Sequence, residues 1–393
     1  MIYPRRLMNQ LKQEVTNPRT TVLTGMRQTG KTTLMRQIFN LIESSNKLFL
    51  DLENPLNQKI FEEENYDNII HNLREFNIHI DKKCYIFLDE IQLLPESARI
   101  IKYLYDHYKI KFFVTGSSSF YLKNLFPDSL AGRKTIYELY PLDFEEFLVF
   151  KQVVKSTTDN FINKARKKTK VAYELYKKHY EEYLKYGGFP GVVVEPDMKR
   201  KQKILQDIFT SYFEKDVKKI ADFKDIRKLR DTILLLANRV GSKIEITKIA
   251  SEIGISRDTV YSYLSFLENT YFIYLLKPFS RNIDGEVKGA NKVYFCDAGL
   301  LNQLVKFPEG VIFENTVFTN LRKYGKVNYY QKYKGPEVDF ILNEKIAFEV
   351  KTVGNIGDIK QLSKIIKNLR LKDYYLIIKE YFDHPKAILA TDL

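Results

Sequence analysis

The stretch TTVLTGMRQTGKTTLMRQIFNLI, residues 20–42, decides the fold of the amino-terminal part of this chain. An apolar, β-branched run ends at Gly25, a loop follows, and the residues after it have the apolar spacing of a helix. The loop matches the pattern G-x-x-x-x-G-K-[ST] at every position. A strand, this loop and a helix in succession predict a P-loop.

Each position of this loop has a mechanical role. Gly25 and Gly30 permit a backbone whose amides surround phosphates, and the following helix adds the partial positive charge of its N-terminus. Lys31 is expected to reach the β- and γ-phosphates, and Thr32 to place its hydroxyl on Mg²⁺. ATP and Mg²⁺ are therefore the predicted cofactors. The predicted nucleotide-binding residues of the loop are Gly25, Met26, Arg27, Gln28, Thr29, Gly30, Lys31, Thr32 and Thr33.

A second motif, CYIFLDE at 84–90, has the near-continuous apolar character of a central parallel strand and ends in two carboxylates. This is a Walker B pattern. We expect Asp89 to hold the magnesium shell and Glu90 to orient or polarise the attacking water. Together with the P-loop, these acids predict hydrolysis of the bound ATP.

Two further apolar runs, KLFLDLENP at 47–55 and KFFVTGSSS at 111–119, are predicted strands that alternate with helical segments. This alternation predicts a parallel, doubly wound α/β sheet whose ligand lies at the carboxyl ends of the strands. Thr115 and Ser117 then point towards the γ-phosphate as polar sensor residues. They can equally cap a helix that begins near residue 120, and the sequence does not separate the two roles.

The order of these motifs resembles that of the AAA-like ATPases of archaea and bacteria. The segments that carry the resemblance are GMRQTGKT, CYIFLDE, FFVTGSSS, SLAGR at 129–133, YPLDFEEF at 140–147 and YGGFP at 186–190. It implies a P-loop core over residues 1–150 and a helical lid over 151–215. Arg133 lies where an arginine could stabilise phosphate charge, in this subunit or in a neighbour within a homo-oligomer. An ordinary surface or ion-pair arginine is the other interpretation.

The middle of the chain, residues 216–290, is predicted to form a winged-helix domain. The segment from 244 to 279 has the pattern of a helix, a turn at Gly254, a second helix capped by Ser256, and a strand. Such a module either binds the major groove of DNA or packs rigidly inside an ATPase. The predicted outward-facing residues of the second helix are Arg257, Asp258, Thr259 and Ser262.

Residues 291–393 are predicted to form a small α/β domain. Glu349 and Lys351 share one face of a strand, and Asp339 can approach them from the neighbouring strand, with Glu314 available from a preceding helix. The arrangement resembles the PD-(D/E)XK, or restriction-endonuclease-like, fold, including Holliday-junction resolvases. The resemblance implies catalytic Asp339, Glu349 and Lys351, with Mg²⁺ held by Asp339, Glu349 and Glu314. Glu337 competes with Asp339 as the first acid.

An active nuclease, an inactive nuclease-like scaffold and a simple ion pair between Glu349 and Lys351 all remain open. A net charge of +14 and a pI near 9.3 favour DNA as a partner, although a Lys-rich composition alone also raises the pI. Only two cysteines occur, in apolar runs, which argues against a disulfide framework. No apolar run is long enough for a membrane span, so we expect a cytoplasmic protein.

These features together predict an ATPase that couples its nucleotide state to DNA binding or processing. The alternative is a nucleotide-dependent switch that acts on a protein partner through an inactive nuclease-like domain.

Overall fold

The computed structural model describes residues 3–94, 96–116, 132–158, 161–166, 168–218, 225–280, 289–332 and 335–393. The chain divides into two compact units. The first comprises Met1–Tyr140 together with Asn269–Tyr271, and the second comprises Pro141–Glu268 and Phe272–Leu393. The first unit thus ends at Tyr140 in its main segment, and the boundary of the ATPase core at residue 150 stays a prediction.

The first unit is built on a parallel sheet, which confirms the predicted α/β architecture. Its strands, as far as the structure describes them, have the order β2-β3-β4-β1-β5, and every neighbouring pair is parallel. All residues of β1, β3 and β4 are buried, as in strands that are covered on both faces. The strands are β1 (Thr20–Thr24), β2 (Lys47–Asp51), β3 (Tyr85–Asp89), β4 (Lys111–Gly116) and β5 (Lys134–Glu138).

Helices cover both faces of this sheet because the residues of the buried strands β1, β3 and β4 alternate between two apolar clusters. In β3, Ile86 and Leu88 pack in one cluster, whereas Tyr85 and Phe87 pack in the other. The first cluster includes residues of α4 and α5, and the second includes residues of α1 and α2. The helices are α1 (Met8–Glu14), α2 (Lys31–Leu41), α3 (Pro55–Lys59), α4 (Tyr66–Glu75) and α5 (Ser97–Tyr108).

The second unit begins with a series of helices, in the part of the chain where a helical lid over residues 151–215 was expected. Two loops approach each other closely here: the Asp297 carboxylate accepts hydrogen bonds from the backbone N–H groups of Gly188 and Leu300, at 2.6 and 2.9 Å. The helices are α6 (Phe144–Phe150), α7 (Phe161–Arg166), α8 (Lys170–Tyr186), α9 (Pro190–Val194) and α10 (Met198–Ser211), which continues into a π-helical turn, Tyr212–Val217.

The predicted helix before Gly254 and the helix after it are present as α12 (Ile246–Ile253) and α13 (Arg257–Asn269), preceded by α11 (Ile226–Ala237). A winged-helix domain stays a prediction. Gly254 ends α12 in the left-handed region at φ +69°, and the Ser256 hydroxyl accepts the backbone N–H of Thr259 at 3.1 Å. The strands β6 (Ile273–Leu276) and β7 (Lys292–Phe295) then pair antiparallel. The apolar residues that pack α12 and α13 are buried: Ile249, Ala250, Ile253, Val260, Leu264 and Leu267.

The carboxyl-terminal part is a second sheet with the order β12-β11-β10-β9-β8 among the described strands. A hairpin joins β9 to β10 through residues 343–345, of which Asn343 and Glu344 have φ values of +50° and +58°. Strands β10, β11 and β12 are parallel. The elements are α14 (Ala298–Leu304), α15 (Glu309–Leu321), β8 (Val327–Gln331), β9 (Glu337–Leu342), β10 (Ile346–Lys351), α16 (Ile356–Leu369), β11 (Asp373–Ile378) and β12 (Ala387–Leu389). In the described part of the chain, no helix is long and apolar enough to cross a membrane.

Gly299 and Gly310 offer a matched test of packing in the second unit. Each is the second residue of its helix, but their surroundings differ. A Cβ at residue 299 would lie 2.1 Å from the backbone oxygen of Tyr186, whereas a Cβ at residue 310 meets nothing within 4 Å. We expect Gly299→Ala to lower the free energy of unfolding by about 2 kcal/mol. Gly310→Ala should raise it by up to about 1 kcal/mol through helix propensity. Urea unfolding of the full chain measures both, and equal effects would contradict the close approach.

Candidate nucleotide-binding site and carboxylate cluster

The loop between β1 and α2 has a backbone that its glycines make possible. Gly25 has φ +148°, and a Cβ there would lie 2.1 Å from the backbone oxygen of Leu139. Gly30 has φ +95° and Gln28 has φ +62°. The loop follows the carboxyl end of β1, which is the edge of a parallel sheet where ligands bind.

Lys31 is held inside this loop. Its side-chain nitrogen donates to the backbone oxygens of Gly25 at 2.9 Å and Met26 at 3.0 Å, and the residue is 5% exposed. The Thr29 hydroxyl donates to the same oxygen of Met26 at 2.9 Å. The ammonium therefore lies among the loop residues that are expected to bind phosphates. Of the other predicted loop residues, Arg27 is half-buried and Thr33 is exposed.

The two predicted magnesium ligands of this site are adjacent. Asp89, at the end of β3, is 3% exposed, and its carboxylate is hydrogen-bonded to the hydroxyls of Thr115 and Thr32. Burial raises the pKa of Asp89, and these two hydrogen bonds oppose that rise. A threonine hydroxyl next to a buried carboxylate is a pair of oxygen ligands that suits Mg²⁺.

Thr115 has a role that the sequence did not predict. Its hydroxyl donates to Asp89 and accepts the backbone N–H of Glu90 at 3.1 Å. It therefore links the two acidic residues, and its expected role towards the γ-phosphate stays a prediction. Glu90 itself is in the left-handed region at φ +57°, and its carboxylate accepts from the Gln92 amide. Ser117, the other predicted sensor, lies outside the described residues.

Arg133 lies at the amino ends of the strands, whereas the P-loop follows the carboxyl end of β1. Its backbone oxygen accepts the N–H of Thr20 at 2.8 Å, at the amino end of β1, about 13 Å of strand away from the P-loop. Its guanidinium pairs with Asp106 at 2.7 Å. Arg133 therefore does not face the nucleotide of its own subunit, because parallel strands place it at the wrong end. A role towards a neighbouring subunit stays a prediction.

In the second unit, Asp339, Glu349 and Lys351 do come together. The Asp339 carboxylate accepts the backbone N–H of Val350 at 2.8 Å, and the Lys351 ammonium donates to Glu349 at 2.9 Å. Burial raises the pKa of Glu349 to about 7, and the charge of Asp339 adds to the rise. Burial opposes the charged form of Lys351, but the bond to Glu349 and the charges of the neighbouring carboxylates together outweigh it and raise the pKa. Lys351 thus stays protonated and can position a water but not deprotonate it.

Glu314 and Glu337 complete this carboxylate cluster. Burial and the charge of Asp339 raise the pKa of Glu314 to about 7, and the Tyr294 hydroxyl donates to its carboxylate at 2.7 Å. Glu337 instead pairs with the ammonium of Lys292, whose side chain is only 5% exposed. Glu337 also lines a small pocket together with Glu349 and Lys351, so the choice between Glu337 and Asp339 as the first acid stays open. Among the described residues, however, no three acidic, His or Cys side chains are spaced to hold a metal ion, so the predicted trio of Glu314, Asp339 and Glu349 is not preformed.

Comparisons with known proteins identify an AAA domain in the part of the chain that contains the parallel sheet. A family described as "AAA domain" matches residues 17–148, and two domains of unknown function, DUF8612 and DUF4143, match residues 177–310 and 309–389. The uncharacterized protein MJ1544 of Methanocaldococcus jannaschii is 31% identical over 392 residues, which cover 94% of this chain and 84% of that protein. The chain belongs to its family of AAA-domain proteins. An uncharacterized protein of Haemophilus influenzae is 29% identical over 98% of this chain and 95% of its own length.

The fold of this chain also resembles that of a solved structure. The Walker-type ATPase PABY2304 of Pyrococcus abyssi matches with a TM-score of 0.51 at 15% identity, over 77% of this chain and 96% of its own. This likeness concerns the fold alone, which is that of a P-loop ATPase. The P-loop expected from residues 25–32 thus stands in the fold that binds ATP.

Two residues that contact these sites were not singled out from the sequence. Arg5 donates to the backbone oxygen of Thr29 in the P-loop at 2.8 Å, although it precedes the part of the chain that matches the AAA domain. Lys292 contributes a buried ammonium to the carboxylate cluster from β7. Neither residue belongs to a motif. The only signal in the sequence is that each is a cationic residue close to apolar ones.

The hydroxyl of Thr115 provides a direct test of the acidic pair in this AAA-domain protein. Thr115→Val keeps the shape of the side chain but removes the bonds to Asp89 and to the Glu90 N–H. We expect Mg²⁺-dependent ATP turnover to fall about 10- to 100-fold, as when the partners that orient metal ligands are removed. Thr115→Ser retains the hydroxyl and should keep most of the rate. Steady-state kinetics of the three proteins decide, and similar rates for Val and Ser would contradict this role.

Proposed function

We propose that this protein is an Mg²⁺-dependent ATPase. The observation that carries the proposal is the hydrogen-bonded set of Thr32, Asp89 and Thr115 at the carboxyl edge of the sheet, with Lys31 in the adjoining loop. Loop amides and Lys31 would hold the phosphates, while Thr32 and Asp89 would hold the metal ion directly or through water. Bound Mg²⁺ supplies neutralisation of the charge that develops between the β- and γ-phosphates.

Glu90 is the proposed catalytic carboxylate. It follows Asp89 directly, and the hydrogen bond from its backbone N–H to Thr115 fixes the start of its side chain. A carboxylate at this position can orient the attacking water and accept its proton as the γ-phosphoryl group is transferred. The Gln92 amide, which donates to the Glu90 carboxylate, restricts its orientation.

Substitutions in the loop and in the acid separate binding from hydrolysis. Lys31→Ala should abolish nucleotide binding, because the ammonium that meets the phosphates is lost. Glu90→Gln should keep binding and lower kcat by about 100-fold or more, because an amide cannot accept the proton. Equilibrium binding of a fluorescent ATP analogue and phosphate release measure the two effects. Full ATPase activity in both variants would refute the site.

We further propose that ATP turnover is coupled to DNA. The net charge of +14 supports a polyanionic partner, and Arg257, Asp258 and Ser262 are exposed on α13, the second helix of the helix-turn-helix. Stimulation of ATPase turnover by DNA, with binding that weakens as salt rises, is the expected result. Turnover indifferent to duplex, single-stranded and branched DNA at low salt would instead favour the nucleotide-dependent switch.

The carboxylate cluster bears on two functions of the second unit: the cutting of DNA, and regulation by an inactive nuclease-like domain. The proximity of Asp339, Glu349 and Lys351 suits metal-assisted phosphodiester hydrolysis. The ion pairs of Lys292 with Glu337 and of Lys351 with Glu349 neutralise two of the acids internally, which favours an inactive nuclease-like domain and a regulatory function. These two functions differ in whether DNA is cut.

A nuclease assay with Mg²⁺ and a panel of DNA structures distinguishes them. If the cluster is active, cutting should disappear in Lys351→Ala, because the positioning cation is lost, and should survive in Lys31→Ala, which affects only the first unit. Cutting that persists in Lys351→Ala would exclude this cluster as its source. No cutting by the unsubstituted protein would leave the regulatory function as the better proposal.

A further inference from the structure

The side chain of Arg5 joins the P-loop to the segment that follows β5. Arg5 precedes α1 and is 8% exposed. One guanidinium nitrogen, Nη1, donates to the backbone oxygen of Thr29 at 2.8 Å, and the other, Nη2, donates to the backbone oxygen of Tyr140 at 2.8 Å. The planar guanidinium fixes the relative direction of its donors, so one side chain sets the spacing of two backbone segments.

The bond to Thr29 determines how one P-loop amide is oriented. In a trans peptide the carbonyl oxygen and the following N–H point in opposite directions. Since Arg5 holds the Thr29 oxygen towards itself, the N–H of Gly30 points away from Arg5. Gly30 has φ +95° and no Cβ, so the backbone at this residue can rotate at little cost without such a restraint.

The other contact of Arg5 has a fixed anchor. The ring of Tyr140 packs edge-on against Tyr271, with centroids 6.1 Å apart at 72°. The Tyr140 hydroxyl donates to Glu138, and the Tyr271 hydroxyl donates to the same carboxylate at 3.1 Å. Tyr140 is therefore held by its ring and its hydroxyl, and a guanidinium bonded to it cannot simply follow a displacement of Thr29.

We propose that Arg5 is a positioning residue that keeps the P-loop in its phosphate-binding conformation. It acts through the Gly30 amide, which meets the β-phosphate in a P-loop and so contacts ADP and ATP alike. Its contribution is to nucleotide affinity rather than to the hydrolytic step, because the same contact exists before and during phosphoryl transfer. This inference rests on the proposed binding of ATP and not on hydrolysis.

The test compares Arg5→Ala, Arg5→Lys and the unsubstituted protein. Fluorescent analogues of ADP and ATP are titrated with Mg²⁺, and both Kd and stoichiometry are measured. We expect both Kd values to rise by the same factor, on the order of 10-fold, which is typical of coupling between separate groups. Arg5→Lys should raise the Kd values nearly as much as Arg5→Ala does, because a single ammonium lacks the planar fork of donors. The stoichiometry should stay unchanged, since a folding defect would lower the number of sites and not their affinity.

Lys12→Ala is the matched control, because it removes an exposed cation from α1 in the same amino-terminal segment. Its Kd values should equal those of the unsubstituted protein. Where ATP turnover is measurable, KM should rise in the Arg5 variants with kcat little changed. Unaltered Kd values in Arg5→Lys, or a fall in kcat without a change in Kd, would overturn the inference. Failure of the unsubstituted protein to bind either nucleotide would overturn the proposed function as well.

Discussion

The contact between Gly25 and the backbone of Leu139 is the constraint on which the nucleotide site depends. The Leu139 N–H donates to the oxygen of Thr24 at 2.7 Å, so the pairing of β1 with β5 continues to the start of the P-loop. A side chain at residue 25 would separate these two segments. The same close approach brings Tyr140 near the loop, where one guanidinium can reach both. The absence of a Cβ at Gly25 therefore permits the turn of the loop, the position of Lys31 within it and the bonds of Arg5 to both segments.

The carboxylate cluster of the second unit shows the opposite physical situation. Instead of a tight backbone turn, it gathers acids in a poorly solvated place, and burial is the largest cause of the raised pKa at Glu314, Asp339 and Glu349. Lys292 and Lys351 compensate part of this charge. Such a cluster attracts cations and protons alike, and the two compete for the same oxygens.

The sequence was sufficient where a short pattern determines its own geometry. The P-loop, the buried strand ending at Asp89 and the shared strand face of Glu349 and Lys351 were predicted because local backbone rules and strand alternation fix them. Contacts between remote segments were not predictable. The bond of Thr115 to Asp89 depends on the neighbouring strand, and the motif order does not say at which end of β5 Arg133 lies. Arg5 and Lys292 gave no local signal.

The strand order of the first sheet has a consequence for how the protein is made. β1 is synthesised first, yet its two neighbours, β4 and β5, begin only at Lys111 and Lys134. Pairings so distant in sequence form slowly, because a long loop must close before any contact is gained. The first unit also includes Asn269–Tyr271. During synthesis, the strand that leads into the P-loop must therefore wait unpaired, and the unit is complete only after well over half of the chain has left the ribosome.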